Sequence, residues 1–353
     1  MSTALWRYRL LLTPRYTERM IPIFLLTTRG LEPLCAHEIA ALPGLRIQES
    51  GYRRISATCA ALDPLLGLRT VDDAFVQVAI WDSITHTRAA LAEFTAWSAA
   101  LDLERAASAV RTVRPFSKTP TYAISASFVG KRNYSVDEIK AAVSAGIAQR
   151  LPRWRYSDDD GSAEAHLRLF IDHETAYVGM RITRRPLHER PYKSAHTPGS
   201  LKPQIAAALA RFAGAQHGMT IGDPFCGAGT ILLEAAFYGA RAIGGDRDPA
   251  AVSAATDNGA PSVSLWDARQ LPLARASLDA VISNMPWGKQ IDLDDPARLY
   301  ADAFAEMRRA VRPGGVMVLL TPLADLLPPP AESFEISVFG QNPRVLMYRR
   351  DGK

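Results

Sequence analysis

From Leu201 onward, helix-like and strand-like segments alternate and are joined by glycine turns, and this alternation restricts the fold more than any other feature of the chain. Apolar spacing gives helices at Gln204–Phe212, Thr230–Tyr238, Pro249–Asn258 and Pro296–Val311. Between them lie strands at Thr220–Asp223, Ala242–Asp246, Leu278–Ser283 and Val316–Thr321, and another strand ends at Asp267. Strands separated by helical crossovers pair in parallel, because the crossover returns the chain to the same end of the sheet. The C-terminal part is therefore read as a doubly wound α/β sheet with helices on both faces. The last two strands, Phe334–Phe339 and Arg344–Tyr348, are separated only by Gly340-Gln-Asn-Pro343, too short for a crossover. They form an antiparallel hairpin, completing a seven-stranded sheet unlike an all-parallel nucleotide-binding domain.

At 353 residues the chain is longer than one compact domain usually is. Residues 1–20 are read as a loose extension, since the arginine-dotted start with its short Leu10-Leu11-Leu12 core makes a poor signal sequence. Ile21–Thr28 reads as a strand ending before Gly30, and Glu32–Leu42 as a helix stopped by Pro43-Gly44. Strand-like and helical pieces then alternate to about residue 115, as in a small α+β unit. Thr121–Phe128 alternates with period two, and Ser135 with Glu138 forms a capping box opening a helix that runs to Leu151. Leu167–Ile171 and Thr175–Ile182 read as paired strands. Residues 183–198 hold three prolines and the basic cluster Arg184, Arg185, Arg190 and Lys193, the chemistry of a linker. The boundaries expected are thus 21–115, 116–182, a linker at 183–199, and 200–353.

Composition excludes several classes. The three cysteines, Cys35, Cys59 and Cys226, are far apart with no CxxC pair, which excludes a disulfide framework or a cysteine zinc site and fits a reducing cytoplasm. No apolar run reaches the roughly 18 residues that span a bilayer. Charge is unevenly divided: residues 1–199 hold 26 basic and 20 acidic residues, whereas 200–353 hold 15 and 16. Within 105–155 the counts are 10 and 2. A basic N-terminal half beside a near-neutral C-terminal half reads as a polyanion-binding module attached to an enzyme. Lys131, Arg132, Arg153 and Arg155 are its candidate phosphate contacts, with Arg184 and Arg185 following in the linker.

Two motifs carry the chemistry. In Asp223-Pro-Phe-Cys-Gly-Ala-Gly-Thr230 a strand end turns through glycines into a helix, letting the backbone approach a ligand closely. The third glycine of a dinucleotide fingerprint is absent, which argues against a pyrophosphate site. Asp223 stands where a carboxylate can meet an amino group; Pro224, Phe225, Gly227, Gly229 and Thr230 shape the turn; Cys226 reads as a small buried residue. Asp246, at the end of the next strand, is placed to take both hydroxyls of a ribose. Asp248 and Pro249 cap the following helix. Asp267, with Ala268 beside it, can accept from an adenine amine or simply cap the surface.

The second motif, Asn284-Met-Pro-Trp287, sits at another strand end. An exocyclic amine on a base is a poor nucleophile, because its lone pair is delocalised into the ring. The Asn284 carbonyl and a backbone carbonyl near Pro286 can hold its two N–H groups and free the lone pair, while Trp287 offers a face for an extruded base. Together, in this order, the motifs point to an S-adenosylmethionine-dependent methyltransferase acting on nucleic acid, with no metal.

With these motifs in one chain, the sequence resembles the THUMP-domain RNA methyltransferases, particularly those forming N2-methylguanosine in tRNA. The resemblance covers nearly the whole chain from about Ile21. It rests on Asp223–Ala236, on His196-Thr-Pro-Gly-Ser-Leu-Lys-Pro203, and on Asn284-Met-Pro-Trp-Gly288. It implies a ferredoxin-like domain with the start of a THUMP domain at 21–115, the THUMP RNA-binding domain at 116–182 and a Rossmann-fold methyltransferase domain after the linker. It also implies that Pro198, Gly199, Ser200 and Leu201 line the cofactor pocket with Asn284, that Lys289 contacts phosphate, and that the substrate is the acceptor-stem region of tRNA, bound by a monomer. Asn284 is shared with adenine-N6 methyltransferases, so adenine N6 and ribosomal RNA guanine stand as alternatives, and an inactive RNA-binding protein as a third.

Overall fold

Pairing changes character along the chain, from mostly antiparallel to parallel across helices, and the computed structural model divides accordingly into two units. One comprises residues up to Thr27 with Cys35–Leu187; the other comprises Thr28–Leu34 with His188–Lys353. The structure describes residues 20–287, 295–338 and 340–351, so the extension before Met20, together with Gly288, Lys289 and Phe339, lies outside the described residues.

The first unit runs β1 (Ile21–Leu26), α1 (Glu32–Ala40), β2 (Leu45–Gly51), β3 (Arg54–Cys59), β4 (Asp73–Trp81), α2 (Ala90–Ser98), α3 (Leu103–Val110), β5 (Thr121–Phe128), α4 (Val136–Arg150), β6 (Arg155–Tyr156), β7 (Ala165–Asp172) and β8 (Thr175–Arg181). Its strands form one eight-stranded sheet in the order β2-β3-β1-β4-β8-β7-β5-β6. The Ser135–Glu138 capping box opens α4, the Ser135 hydroxyl accepting from Glu138 N at 3.2 Å and Glu138 accepting from Ser135 N at 2.8 Å. The boundary expected at 115/116 cuts this sheet rather than separating two cores. β4 pairs antiparallel with β8, Phe75 opposite Arg181, so strands from both sides of the boundary share one hydrogen-bonded ladder.

The second unit runs α5 (Pro203–Phe212), β9 (Thr220–Asp223), α6 (Thr230–Phe237), β10 (Arg241–Asp246), α7 (Pro249–Asp257), β11 (Val263–Leu265), β12 (Leu278–Asn284), α8 (Pro296–Ala310), β13 (Val311–Thr321), β14 (Glu332–Glu335) and β15 (Arg344–Arg349). Its seven strands lie in the order β11-β10-β9-β12-β13-β15-β14. The first five pair in parallel and β13-β15-β14 antiparallel, as a doubly wound sheet closed by a hairpin. β14 stops at Glu335, short of the expected Phe339. From β9 the chain steps outward to β10 and β11, then returns to place β12 on the other side of β9. That reversal opens a crevice at the carboxyl ends of β9 and β12, where ligands bind in such sheets. Asp223 and Asn284 are the last residues of these two strands.

The linker expected at 183–199 is largely part of this second unit. Arg190 and Glu234 of α6 form a buried ion pair at 3.3 Å, and Tyr192 donates to the same carboxylate at 2.6 Å. The Asn258 carboxamide accepts from Ser194 N and Ala195 N at 2.9 and 2.8 Å, and donates to the carbonyls of Ala195 and Ala228, both at 2.9 Å. A buried charge kept with its partner, and an amide used on both sides, hold residues 190–195 as a docked strap.

Candidate active site

β9 is buried, and the backbone turns sharply after it. Gly229 caps α6 with φ +75°, and a Cβ there would lie 2.7 Å from the Ala260 Cβ, so only glycine fits. Cys226 N donates to Gly245 O at 3.0 Å, and Gly227 N to Asp246 Oδ2, also at 3.0 Å. Asp246 Oδ1 accepts from Asp248 N at 3.1 Å, and Asp248 itself caps α7 through Ala250 N at 2.9 Å. The Asp246 carboxylate is thus held by two backbone donors at the end of β10. Asp223 is 1% exposed. Its Oδ1 accepts from Phe225 N at 3.1 Å and from the Ser283 hydroxyl at 2.7 Å, yet burial still pushes its carboxyl up to about 7. Burial also drives the Cys226 thiol far above its ordinary range, so it stays protonated and inert.

Pro198, Gly199, Ser200 and Leu201 line, with the glycine turn, one cavity of about 640 Å³. Lys193 steadies this segment, donating to Leu201 O and, at 3.2 Å, to Thr230 Oγ1; burial lowers its ammonium to about 8. Trp266, which follows β11 and is 8% exposed, also lines the cavity. A Cβ on Gly245 would come within 2.2 Å of the Trp266 ring, so the glycine before Asp246 is what admits the indole. Asp267 and Ala268 line the cavity too, but Arg269 grips Asp267 through Nε at 3.0 Å and Nη2 at 2.7 Å and holds its carboxyl below the usual range. Any adenine amine must share that carboxylate with Arg269.

The turn after β12 closes the cavity. Trp287 Nε1 donates to Asn284 Oδ1 at 3.0 Å, and Asn284 Nδ2 reaches Gly199 O at 3.4 Å. The Asn284 carbonyl, expected to face an incoming amine, therefore already accepts one proton and retains one lone pair. Tyr300 of α8, fully buried, donates to Pro286 O at 3.0 Å. The cavity brings together Asp223, Pro224, Phe225, Cys226, Gly227 and Thr230 with Asp246, Asn284, Pro286 and Trp287. Gly229 is not on its wall and acts through the turn. Trp266 and Gln341 line it although the sequence did not single them out, and so does Met285, inside the Asn284–Trp287 motif but given no role there; Gly244-Gly245 was the available signal for Trp266, whereas Gln341 sits in a turn with none. Among the described residues no group of histidine, cysteine and carboxylate side chains is placed to hold a metal.

The basic residues separate into two groups. Lys131 and Arg132 follow the end of β5, whereas Arg153 and Arg155 lie beside its start, Arg155 opposite Thr121. Eight residues of strand put roughly 25 Å between the groups. Arg184 and Arg185 follow β8, whose end lies beside the start of β7 and hence at the Arg155 end of the sheet. Arg111 and Lys118, exposed in the segment leading into β5, join that end. Arg132 is partly engaged, donating to His173 O.

Residues 190–342 match the methyltransferase-domain family described as RMKL-like. The chain is 34% identical over 165 residues to a tRNA (guanine(6)-N2)-methyltransferase of Thermus thermophilus, covering 44% of this chain and 49% of that protein. It is 36% identical over 171 residues to the U6 snRNA (guanine-N(2))-methyltransferase THUMPD2 of Mus musculus, covering 44% and 30%. The chain thus spans half or less of these curated relatives. The solved structure of TrmN from Thermus thermophilus superposes with a TM-score of 0.73 at 25% identity, covering 94% of this chain and 100% of that one. No helix among the described residues is long and apolar enough to cross a membrane.

Proposed function

We propose that this chain, whose residues 190–342 match an RMKL-like methyltransferase domain, is an S-adenosylmethionine-dependent RNA methyltransferase. Its product is N2-methylguanosine in tRNA, in the acceptor-stem region. The observation that carries this reading is a single cavity bordered by both the glycine turn with its two aspartates and the Asn284–Trp287 turn. The donor set fits the cofactor: a buried carboxylate for an ammonium, a backbone-held carboxylate for ribose hydroxyls, and the Trp266 indole as an apolar wall for adenine. When bound, S-adenosylmethionine supplies a methyl group on positively charged sulfur.

The chain's own residues do the rest by positioning. Asn284 Oδ1 uses its remaining lone pair on one N–H of the target amine. A backbone carbonyl near Pro286 takes the second N–H; Pro286 O itself accepts from Tyr300 and, like Asn284 Oδ1, retains one lone pair. Trp287, anchored through its indole N–H, stacks on the base. RNA is held by the arginine-rich end of the first unit's sheet. The relatives' action on tRNA and U6 snRNA supports RNA as substrate. The reading is of a monomer working in the cytoplasm, a compartment in which the three buried, free cysteines stay reduced.

Incubating the protein with tRNA and isotopically labelled cofactor, then digesting the RNA for nucleoside mass spectrometry, tests the proposal. Labelled N2-methylguanosine is the expected product. Asn284 favours one second reading, and labelled N6-methyladenosine would establish it instead. No label in any RNA, together with no cofactor binding by calorimetry, would leave an inactive RNA-binding protein.

A further inference from the structure

We infer that Tyr300 is a positioning residue, whose buried hydroxyl fixes the Asn284–Trp287 turn in its methyl-accepting shape; this rests on the proposed reading of that turn. Tyr300 belongs to the apolar face of α8, and its ring packs in the core with Phe304 and Met307. Its hydroxyl does not end in that core. It donates to Pro286 O at 3.0 Å and lies 2.8 Å from Thr321 Oγ1, itself fully buried at the end of β13. Leu323 N donates to the same Oγ1 at 2.9 Å.

Hydrogen-bond polarity follows from counting protons. A tyrosine hydroxyl has one proton to give, and here it goes to the Pro286 carbonyl. Thr321 must then give its own proton to Tyr300 and accept from Leu323 N. The result is a one-way chain of donors, Leu323 N–H to Thr321 to Tyr300 to Pro286 O, in which each bond polarises the next. It ends on the carbonyl between Pro286 and Trp287. From there the turn continues through the Trp287 indole to Asn284 Oδ1 and on to Gly199 O. The turn is therefore tied at both ends, to β13 through Tyr300 and to the cofactor wall through Asn284.

Without the hydroxyl, proline still fixes φ at 286, but the following peptide loses its buried partner and is free to rotate toward water. That rotation swings Trp287 and withdraws the N–H that orients Asn284. The proper partner of the amine is then misplaced although no residue touching substrate has changed. Misplacement by about 1 Å costs on the order of a hundredfold in rate.

Tyr300→Phe removes the hydroxyl and keeps the ring. The expected result is a kcat for methyl transfer lower by about 10–100-fold, with tRNA KM within about threefold and the dissociation constant for S-adenosylhomocysteine unchanged. Thr321→Val, which breaks the chain one step earlier, should lower kcat in the same way, and the double variant should be no worse than Tyr300→Phe alone. The indole N–H resonance of Trp287 should shift in both variants. A kcat within about threefold of wild type, additive losses in the double variant, or a parallel loss of cofactor affinity would overturn the inference. The indole resonance needs no activity: if the wild-type protein methylates nothing, the proposed function has failed, whereas an unmoved resonance in Tyr300→Phe sinks the positioning role by itself. Should Tyr300→Phe fail to fold, Thr321→Val carries the same comparison.

Discussion

Asp223 should make cofactor affinity depend on pH in a range where few carboxylates titrate. Its carboxyl is pushed up to about 7 by burial, which the Ser283 and Phe225 bonds only partly offset. Pairing with an ammonium requires the ionised form. Roughly one carboxyl in eleven is ionised at pH 6 and roughly ten in eleven at pH 8, so affinity should be about tenfold weaker at pH 6, or about 1.4 kcal/mol. In the free protein the sign is opposite. The folded state binds this proton more tightly than the unfolded chain, so the group's stabilisation is complete below the ordinary carboxylate pKa of about 4 and is lost as pH rises through about 7. Isothermal titration of S-adenosylhomocysteine between pH 6 and 8 measures the binding arm, and thermal melts across pH 4–7.5 the stability arm. Asp223→Asn keeps an acceptor for Ser283 and Phe225 but cannot ionise; it should bind more weakly at pH 8 and flatten the profile. Wild-type affinity that stays constant from pH 6 to 8, or a profile unchanged by Asp223→Asn, refutes the pairing.

The other outcomes are more direct. Asn284→Ala should lower turnover by about a hundredfold or more while leaving cofactor affinity near wild type, since the lost acceptor acts on the amine; steady-state kinetics beside calorimetry checks this. Trp287→Ala removes a stacking face worth roughly 1–3 kcal/mol and should reduce kcat/KM, with overall tRNA affinity in a gel-shift assay little changed. Asp246→Ala should weaken S-adenosylhomocysteine by roughly 1.5–3 kcal/mol, because ribose hydroxyls lose a charge-assisted partner; unchanged affinity in a folded variant rejects the assignment. Replacing Arg153, Arg155, Arg184 and Arg185 together should flatten the salt dependence of tRNA binding, the slope falling by roughly 0.7–0.9 for each phosphate no longer neutralised. Replacing Lys131 and Arg132 at the far end of β5 should change that slope less, and equal effects would show that the two ends do not differ.

What could be read in the sequence were features encoded by neighbours. Asp223, Asp246 and Asn284 each close a strand, and each strand end is announced by glycine or proline within a few residues. The alternation of strands and helices fixed the parallel sheet, and a four-residue turn fixed its hairpin. What escaped depends on partners far along the chain. β4 and β8 meet across a hundred-odd residues, so a break in local pattern at 115/116 resembled a domain boundary while the ladder ran through it. Tyr300 looked like one more apolar position of an amphipathic helix, since nothing in α8 reveals which carbonyl its hydroxyl meets. The four arginines now grouped at one end of a sheet were joined by strand register, which charge counts do not contain. Asp267 seemed available because Arg269 two residues on gave no sign of turning back onto it.

The docked strap bears on how the second unit can be separated. A fragment cut at residue 200, where composition suggested a boundary, would lose Lys193 and the segment Thr197–Gly199, and with them one wall of the cavity. It would also strand Glu234 as a buried charge without Arg190 and leave the Asn258 amide with its strap partners gone. A cut placed ahead of His188 keeps all of these together. The proline-rich stretch that looks like a hinge in the sequence is therefore part of the pocket's own masonry, and modular exchange of this half between proteins has to carry it along.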